Sequence, residues 1–471
     1  RQMCIRDRYG VMVTQQIFGR SIPDEELALK NVEDMLLRIR IHPSLVHFLG
    51  HDETFPTKNL DRAYRALIKK YTPKRTYQPH SGAFDVKERF ETGGTRTGTR
   101  ELWTYATPGH YYTHKDDGAW GFAQSGGIGG VFAPMESMRR MMPEKDIWPP
   151  FNETFSFHTV VQGVEYFNAL FEALNSRYGR PEDAEDFVRK GLVLNYESAR
   201  GMFEAYARNK SDALGITTWK YNAAWPAALT WQYIDWYLLP GGAYYGAKKA
   251  CEPLHVQYSY DDDSIYVVNS YYREFKDLTV TVKVLNIDLT EKLSEVYKID
   301  VGENGKTRVT RIAWPAGLSR SHFLVLSLRN SSGEEVSKNF YWLSTVPDVE
   351  GEKGYTRNYQ FYVKPRSVAD HKALNKLAPV RLQMEYRIDD SDTENVAVVQ
   401  VSNPTDKLAF FIHVAVHKGE EGLEVAPTYW DDNYFTLLPG ESATLHGRFS
   451  SKDLGSAQPV VKIDGWNIEK E

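Results

Sequence analysis

The stretch Ile41-His42-Pro43-Ser44-Leu45-Val46-His47-Phe48-Leu49-Gly50-His51-Asp52-Glu53-Thr54-Phe55-Pro56 decides the fold. Pro43 ends the helical pattern that precedes it, because proline cannot continue a helix and disfavours helical geometry in the residue before it. Residues 45–49 are a short apolar, partly β-branched run, the mark of a buried strand. The run ends at Gly50 and then presents His51, Asp52 and Glu53 at its C-terminal tip. Standing alone, the two acids would be read as caps of the next helix. In an alternating strand–helix series that tip is where chemistry is placed.

The surroundings supply such a series. Residues 10–18 alternate like a strand, and a helix with acids in its first turn runs from Asp24 to Ile41. After the strand at 45–50 come a helix at 60–71, a strand at 75–79, a polar Gly-rich loop at 82–100, and strands at 101–107 and 120–125. Helices are predicted at 160–178 and 182–209, a last strand at 216–222, and a last helix at 226–239 stopped by Pro240-Gly241-Gly242. Strand–helix alternation predicts a parallel sheet. The six strands counted fall short of the eight of a closed (β/α)8 barrel, so further strands are expected upstream. Residues 1–8 look unlike natural coding sequence and are set aside as a leader, Cys4 with them.

From about residue 255 the period becomes alternating. Strands are predicted at 265–269, 278–285, 297–301, 307–312 and 322–329, and, after a polar linker, at 380–388, 395–402, 409–416, 433–437 and 442–448. Both sets have the spacing of antiparallel sandwiches. The expected division is a barrel portion over 9–254, a sandwich over 255–345, a linker over 346–370 and a second sandwich over 371–471.

Composition narrows the function. A net charge of −5 argues against nucleic acid as the main partner. With Cys4 and Cys251 as the whole cysteine complement, no disulfide framework or zinc set is expected. No run is apolar enough to span a membrane. The 11 Trp and 29 Tyr provide flat faces that suit sugar rings as well as cores. Trp103, Tyr105, Tyr112, Trp120, Trp219, Asn222 and Trp225 fall at or near strand ends and are candidate pocket residues; core is the competing reading for each aromatic. At helical spacing, Trp231 and Trp236 are assigned to the core. His47 and His51 share a strand face near Asp52, but no third metal ligand accompanies them, so pocket or core roles are expected. The Gly126–Gly130 run lacks the Lys-Ser/Thr of a phosphate loop and is expected to be a flexible loop. Lys69, Lys70, Lys74 and Arg75 read as a solvated face.

Several motifs together resemble family 2 glycoside hydrolases of the exo-β-glucosaminidase and endo-β-mannosidase branch. They are Tyr9-Gly10-Val11-Met12-Val13, His42-Pro43-Ser44 with Gly50-His51-Asp52, Trp120-Gly121-Phe122, Pro134-Met135-Glu136-Ser137-Met138-Arg139-Arg140-Met141 with Trp148-Pro149, Asn222-Ala223-Ala224-Trp225-Pro226, and Asn433-Tyr434-Phe435-Thr436-Leu437-Leu438-Pro439-Gly440-Glu441. The resemblance implies part of a TIM barrel followed by two immunoglobulin-like β-sandwiches. It also implies a carbohydrate substrate, no cofactor, and a secreted or periplasmic location with the signal lost upstream. Retaining β-glycosidases use two carboxyls about 5–5.5 Å apart, an acid and a nucleophile. The resemblance makes Asp52 the acid, with Glu53 as fallback, and places His51 and Gln124 in the substrate pocket. The family's nucleophilic Glu falls at Ser125, which is no carboxylate and cannot replace Glu without a base to activate it. Glu101, Asp116 or Asp117 could supply the missing group through an inverting route, or the chain could be a non-catalytic sugar binder.

Overall fold

The computed structural model describes residues 2–19, 21–52, 54–80, 95–96, 104–115, 117–159, 163–355, 361–363, 365–391 and 393–469. Residues Gln2–Tyr9 form helix α1, and Val13–Gln16 form strand β1. Helix α2 (Glu25–Ile39) is capped by Asp24, whose carboxylate accepts from the Leu27 N–H, and turns Ala28, Val32 and Leu36 inward. Strand β2 (Leu45–His51), helix α3 (Lys58–Tyr71) and strand β3 (Thr76–His80) complete a parallel sheet in the order β1-β2-β3. Leu36, Phe48, Leu60 and Tyr64 meet in its core.

Gly50 is required by the close approach of β3. A Cβ there would lie 2.0 Å from the Pro79 carbonyl oxygen. Arg75, expected on a solvated face, instead clamps the turn before β2. Its guanidinium donates to the carbonyls of Leu45 at 2.6 Å, Arg40 at 2.9 Å and His42 at 2.7 Å. The Asp7 carboxylate, in the segment set aside as a leader, accepts from the Ser44 N–H at 3.0 Å and contacts the His42 ring.

A second parallel sheet joins β4 (Thr95–Arg96), β5 (Gly121–Gly126) and a strand at Ala213–Thr218. The strand expected over 101–107 is not found in its described part. Residues 104–107 are buried coil, and the strand beside β5 lies earlier. The two sheets are separate hydrogen-bonded units and do not close on one another among the described residues.

The helix expected over 226–239 does not form. Its backbone bonds outward instead: Lys220 N–H reaches the Trp231 carbonyl at 3.0 Å, Ala223 N–H the Ile234 carbonyl at 2.9 Å, and Ala133 N–H the Ala228 carbonyl at 2.9 Å. Tertiary pairing wins over local apolar spacing. The sequence read as its stop is the start of another helix, Gly242–Ala250. That helix rests directly on the long helix Ala184–Arg208. A Cβ at Gly242 would sit 2.0 Å from the Leu192 carbonyl, and one at Gly246 would sit 2.3 Å from that of Tyr196.

Helix Ala184–Arg208 is buried along almost its whole length. It touches both antiparallel sandwiches. The first pairs a sheet of Lys306–Arg311, Ser264–Asn269 and Leu254–Tyr258 with one of Glu291–Val301, Phe275–Asn286, Ser321–Arg329 and Glu335–Ser344. The second pairs Gln383–Asp389, Glu394–Ser402, Ser442–Ser450 and Thr428–Trp430 with Phe435–Leu437, Ala409–Lys418 and Pro459–Asp464. The strands Leu254–Tyr258, Glu335–Ser344, Thr428–Trp430 and Pro459–Asp464 were not anticipated. Leu254–Tyr258 is buried along its whole length and Thr428–Trp430 has only three residues, while Glu335–Ser344 turns polar Ser337 and Asn339 inward, which hides its alternation from a hydrophobic pattern.

Charges seal the junction. Arg177 donates to Glu197 at 2.6 Å and to Asp348 at 2.6 Å, and the Tyr178 hydroxyl donates to the other Glu197 oxygen at 3.0 Å. Arg177 and Glu197 are fully buried. Burial alone would raise the Glu197 pKa, but the Arg177 charge and His371 hold it at about 2.

A carboxylate depressed in the folded state contributes stability above its ordinary value of 4.5, and that stability is lost as pH falls through about 2. Glu197→Gln is therefore predicted to lower unfolding stability at pH 7 by roughly 3–5 kcal/mol, because it strands a buried guanidinium. The variant should also lose less stability than the parent between pH 4.5 and pH 2.5. Urea titrations at these pH values measure both effects, and equal acid slopes would contradict the assignment.

Candidate active site

Parallel strands deliver their C-terminal ends to one side of each sheet, which gathers side chains from several strands. Asp52 follows the last residue of β2, is partly exposed, and is held by its own N–H donating to the Gly19 carbonyl at 3.2 Å. His51 pairs in register with His80 at the end of β3. It is buried beside Tyr64, with ring centroids 6.1 Å apart, and burial pushes its imidazole pKa down. His51 therefore backs the tip and does not line an open surface. His47 bonds through Nδ1 to the Thr76 hydroxyl at 2.7 Å.

On the second sheet, Gln124 and Ser125 belong to β5. Their side chains, and Glu53, Trp103, Glu101 and Asp116 altogether, lie outside the described residues. Trp219 follows the neighbouring strand, and its N–H donates to the Gly126 carbonyl at 3.1 Å. This places Trp219, 50% exposed, directly beside the tip that carries Ser125. Trp219 and Lys220 are joined by a cis peptide. Asn222 is exposed in the same loop. Trp225 is stacked on His158 with ring centroids 5.6 Å apart and meets Phe157 edge-on at 5.3 Å. Trp120 is partly exposed.

Three assignments change. Tyr105 and Tyr112 are core residues, 1% and 2% exposed, and the Tyr112 hydroxyl donates to the Tyr258 carbonyl at 3.3 Å. Neither can stack on a ligand in this arrangement. Trp236, assigned to the core on helical spacing, is 47% exposed because no helix forms there. The Gly126–Gly130 run is buried, and a Cβ on Gly129 would lie 2.6 Å from the Tyr105 nitrogen, so it is a packed turn and not a flexible loop. Tyr221 and Phe157, 63% and 69% exposed, extend the aromatic surface and were missed. Tyr221 is two residues from Trp219, and that proximity was the available signal.

Asp117, considered for the missing carboxylate, is buried with one oxygen 3.4 Å from His110 Nε2. His110 and His114 sit at the two ends of the short helix α4 (His110–Thr113) with rings stacked at 4.2 Å. Glu350, from the linker, bridges them: one oxygen lies 2.8 Å from His110 Nδ1, the other 3.0 Å from His114 Nε2. The i, i+4 spacing of the two histidines was legible and was passed over.

Comparison with known proteins agrees with the motifs. Residues 360–468 match the family described as Exo-beta-D-glucosaminidase Ig-fold domain, and residues 263–346 match Mannosidase Ig/CBM-like domain. The chain is 33% identical over 449 residues to an exo-beta-D-glucosaminidase of Streptomyces avermitilis, covering 92% of this chain and 49% of the relative. It is 32% identical over 447 residues to that of Amycolatopsis orientalis, covering 91% and 42%. The solved structure of Amycolatopsis orientalis exo-chitosanase in complex with PNP-beta-D-glucosamine superposes with a TM-score of 0.89 at 28% identity, covering all of this chain and 58% of that one. These matches make the chain similar to the exo-β-D-glucosaminidase and endo-β-mannosidase branch of family 2 glycoside hydrolases. It spans about half the length of the curated relatives it matches.

The Asp52 tip depends on the turn that Arg75 clamps. Arg75→Ala is predicted to cost about 2–3 kcal/mol in chemical denaturation, since three carbonyls lose a charged donor. Arg75→Lys should recover only part of it, because an ammonium cannot fork to three acceptors. Full recovery by lysine would refute the clamp.

Proposed function

We propose that the full-length protein is an exo-acting glycoside hydrolase that cleaves terminal β-glucosaminide or β-mannoside bonds, with Asp52 as general acid. The observation that carries this is a Gly-His-Asp motif at the C-terminal tip of a parallel strand, in a chain 33% identical to a curated exo-β-D-glucosaminidase. In this reading the two parallel sheets are arcs of one (β/α)8 barrel, and Asp52 and the β5 tip share its mouth. Asp52 gives its proton to the glycosidic oxygen as the bond to the anomeric carbon breaks, and a water whose proton passes to a second carboxylate, for which Glu101 and Asp116 are the candidates, forms the new bond to that carbon. Trp219 and Trp225 provide the platform for the sugar ring. Carbohydrate is the partner; no helix among the described residues is long and apolar enough to cross a membrane.

A second reading, a glycan-binding relative without turnover, is favoured by Ser125 at the position where the resemblance expects the nucleophile. A serine lacks the carboxylate that forms and releases a glycosyl ester.

Full-length protein is expected to release nitrophenol from one member of a panel of nitrophenyl β-glycosides. Asp52→Asn should cut the rate by roughly 100-fold or more; undiminished activity in that variant would remove the assignment. If the parent is inactive, calorimetry with chito- and manno-oligosaccharides should show binding that Trp219→Ala weakens. Ser125→Glu then separates the readings: gained turnover marks a lost nucleophile, and none marks a site rebuilt for binding.

A further inference from the structure

We propose that His110, His114 and Asp117 bind one divalent first-row metal ion, with Glu350 holding His110 in register. The ligand atoms of the three residues lie within 4.8 Å of one another. An ion bonded at about 2.0–2.2 Å to nitrogen and oxygen keeps neighbouring ligand atoms roughly 3.3 Å apart, so the 3.4 Å between His110 Nε2 and Asp117 fits with little movement. The arrangement is that of a ligating histidine with its supporting carboxylate. Glu350 accepts from His110 Nδ1 at 2.8 Å, which leaves Nε2 as the lone-pair nitrogen facing Asp117. His110 is fully buried, and its Nε2 faces one oxygen of the buried Asp117. His114 joins by turning one ring nitrogen from its present bonds with Glu350 and the helix backbone.

A cavity of about 690 Å³ has Gly109, Thr113 and Glu350 in its wall. The donor set of imidazole and carboxylate suits zinc and its neighbours over calcium or magnesium. The ion would fasten the linker, through Glu350, to the loop after residue 104. It has no part in the sugar chemistry proposed above.

The full chain, stripped with chelator and dialysed, is titrated with zinc chloride by calorimetry and then analysed for bound metal. One zinc per chain and a rise in Tm of several degrees are expected. His110→Ala and Asp117→Asn should each weaken binding roughly 100-fold, and Glu350→Gln about 10-fold. His446→Ala, a surface histidine paired with Asp431, should leave binding unchanged. Cobalt should give visible absorption bands in the parent that are lost in His114→Gln, whose partly exposed side chain is the substitution that disturbs packing least. Parent protein that takes up no zinc, or histidine and aspartate variants that bind it as the parent does, would overturn the proposal.

Discussion

The buried pair of Arg177 and Glu197 is the constraint on which the arrangement of the molecule rests. Two charges removed from water are tolerable only when each satisfies the other and the remaining polar atoms are matched. Here the matching groups come from three regions: the helices of the α/β portion, Asp348 in the linker, and His371 at the start of the second sandwich. Further along the same helix the pattern repeats. Glu204 accepts from Tyr341 at 2.7 Å, Asn339 at 2.9 Å and His255 at 3.0 Å, all from the first sandwich. Arg200 donates to Asn339 and the Phe340 carbonyl, with its guanidinium 4.0 Å from the Tyr341 ring centre. A helix with polar groups on a buried face holds its neighbours in one position, since any other leaves a charge unpaired.

Much of this was legible in the chain, and what was not has a physical cause. Strong amphipathic spacing with a cap, as in Glu25–Ile39, located its helix to within two residues, and the turn-bounded strand Leu45–His51 was found the same way. The Asp52 tip followed from that strand. The failure at 226–239 came from apolar residues spaced for a helix that are buried because segments pack on them from several sides; Ala227, Ala228 and Leu229 are all fully covered. Periodicity cannot tell that case from a helix. The pocket aromatics divided for a related reason. Trp219 emerged at an open tip, whereas Tyr105 and Tyr112 turned into the core, and nothing local distinguishes a tyrosine that faces a sugar from one that fills a gap. The linker looked inert because its acids are read one at a time. Asp348 and Glu350 acquire meaning only against Arg177 and the histidines, more than 170 positions away.

The chemistry rests on less. The general acid of a β-glycosidase needs a carboxyl at a strand tip, and Asp52 has that place. The attacking group needs a second carboxyl, and Ser125 does not provide one. In the proposed reading, likeness to these hydrolases and a serine at position 125 are compatible, because a fold can outlast the reaction it hosts. The aromatic surface around Trp219 would serve a binder as well as an enzyme.

The contact of the helices Ala184–Arg208 and Gly242–Ala250, backbone against backbone at Gly242 and Gly246, has a consequence for how such chains diversify. The second of these helices leads straight into the first sandwich, so its position is inherited by everything downstream. A recombination event that imports a sandwich from a relative must bring a partner for Glu204 and Arg200 and must preserve both glycines. The modules of this chain can be exchanged only together with the surface they grip, and the breakpoints open to shuffling lie outside the region between residues 184 and 258.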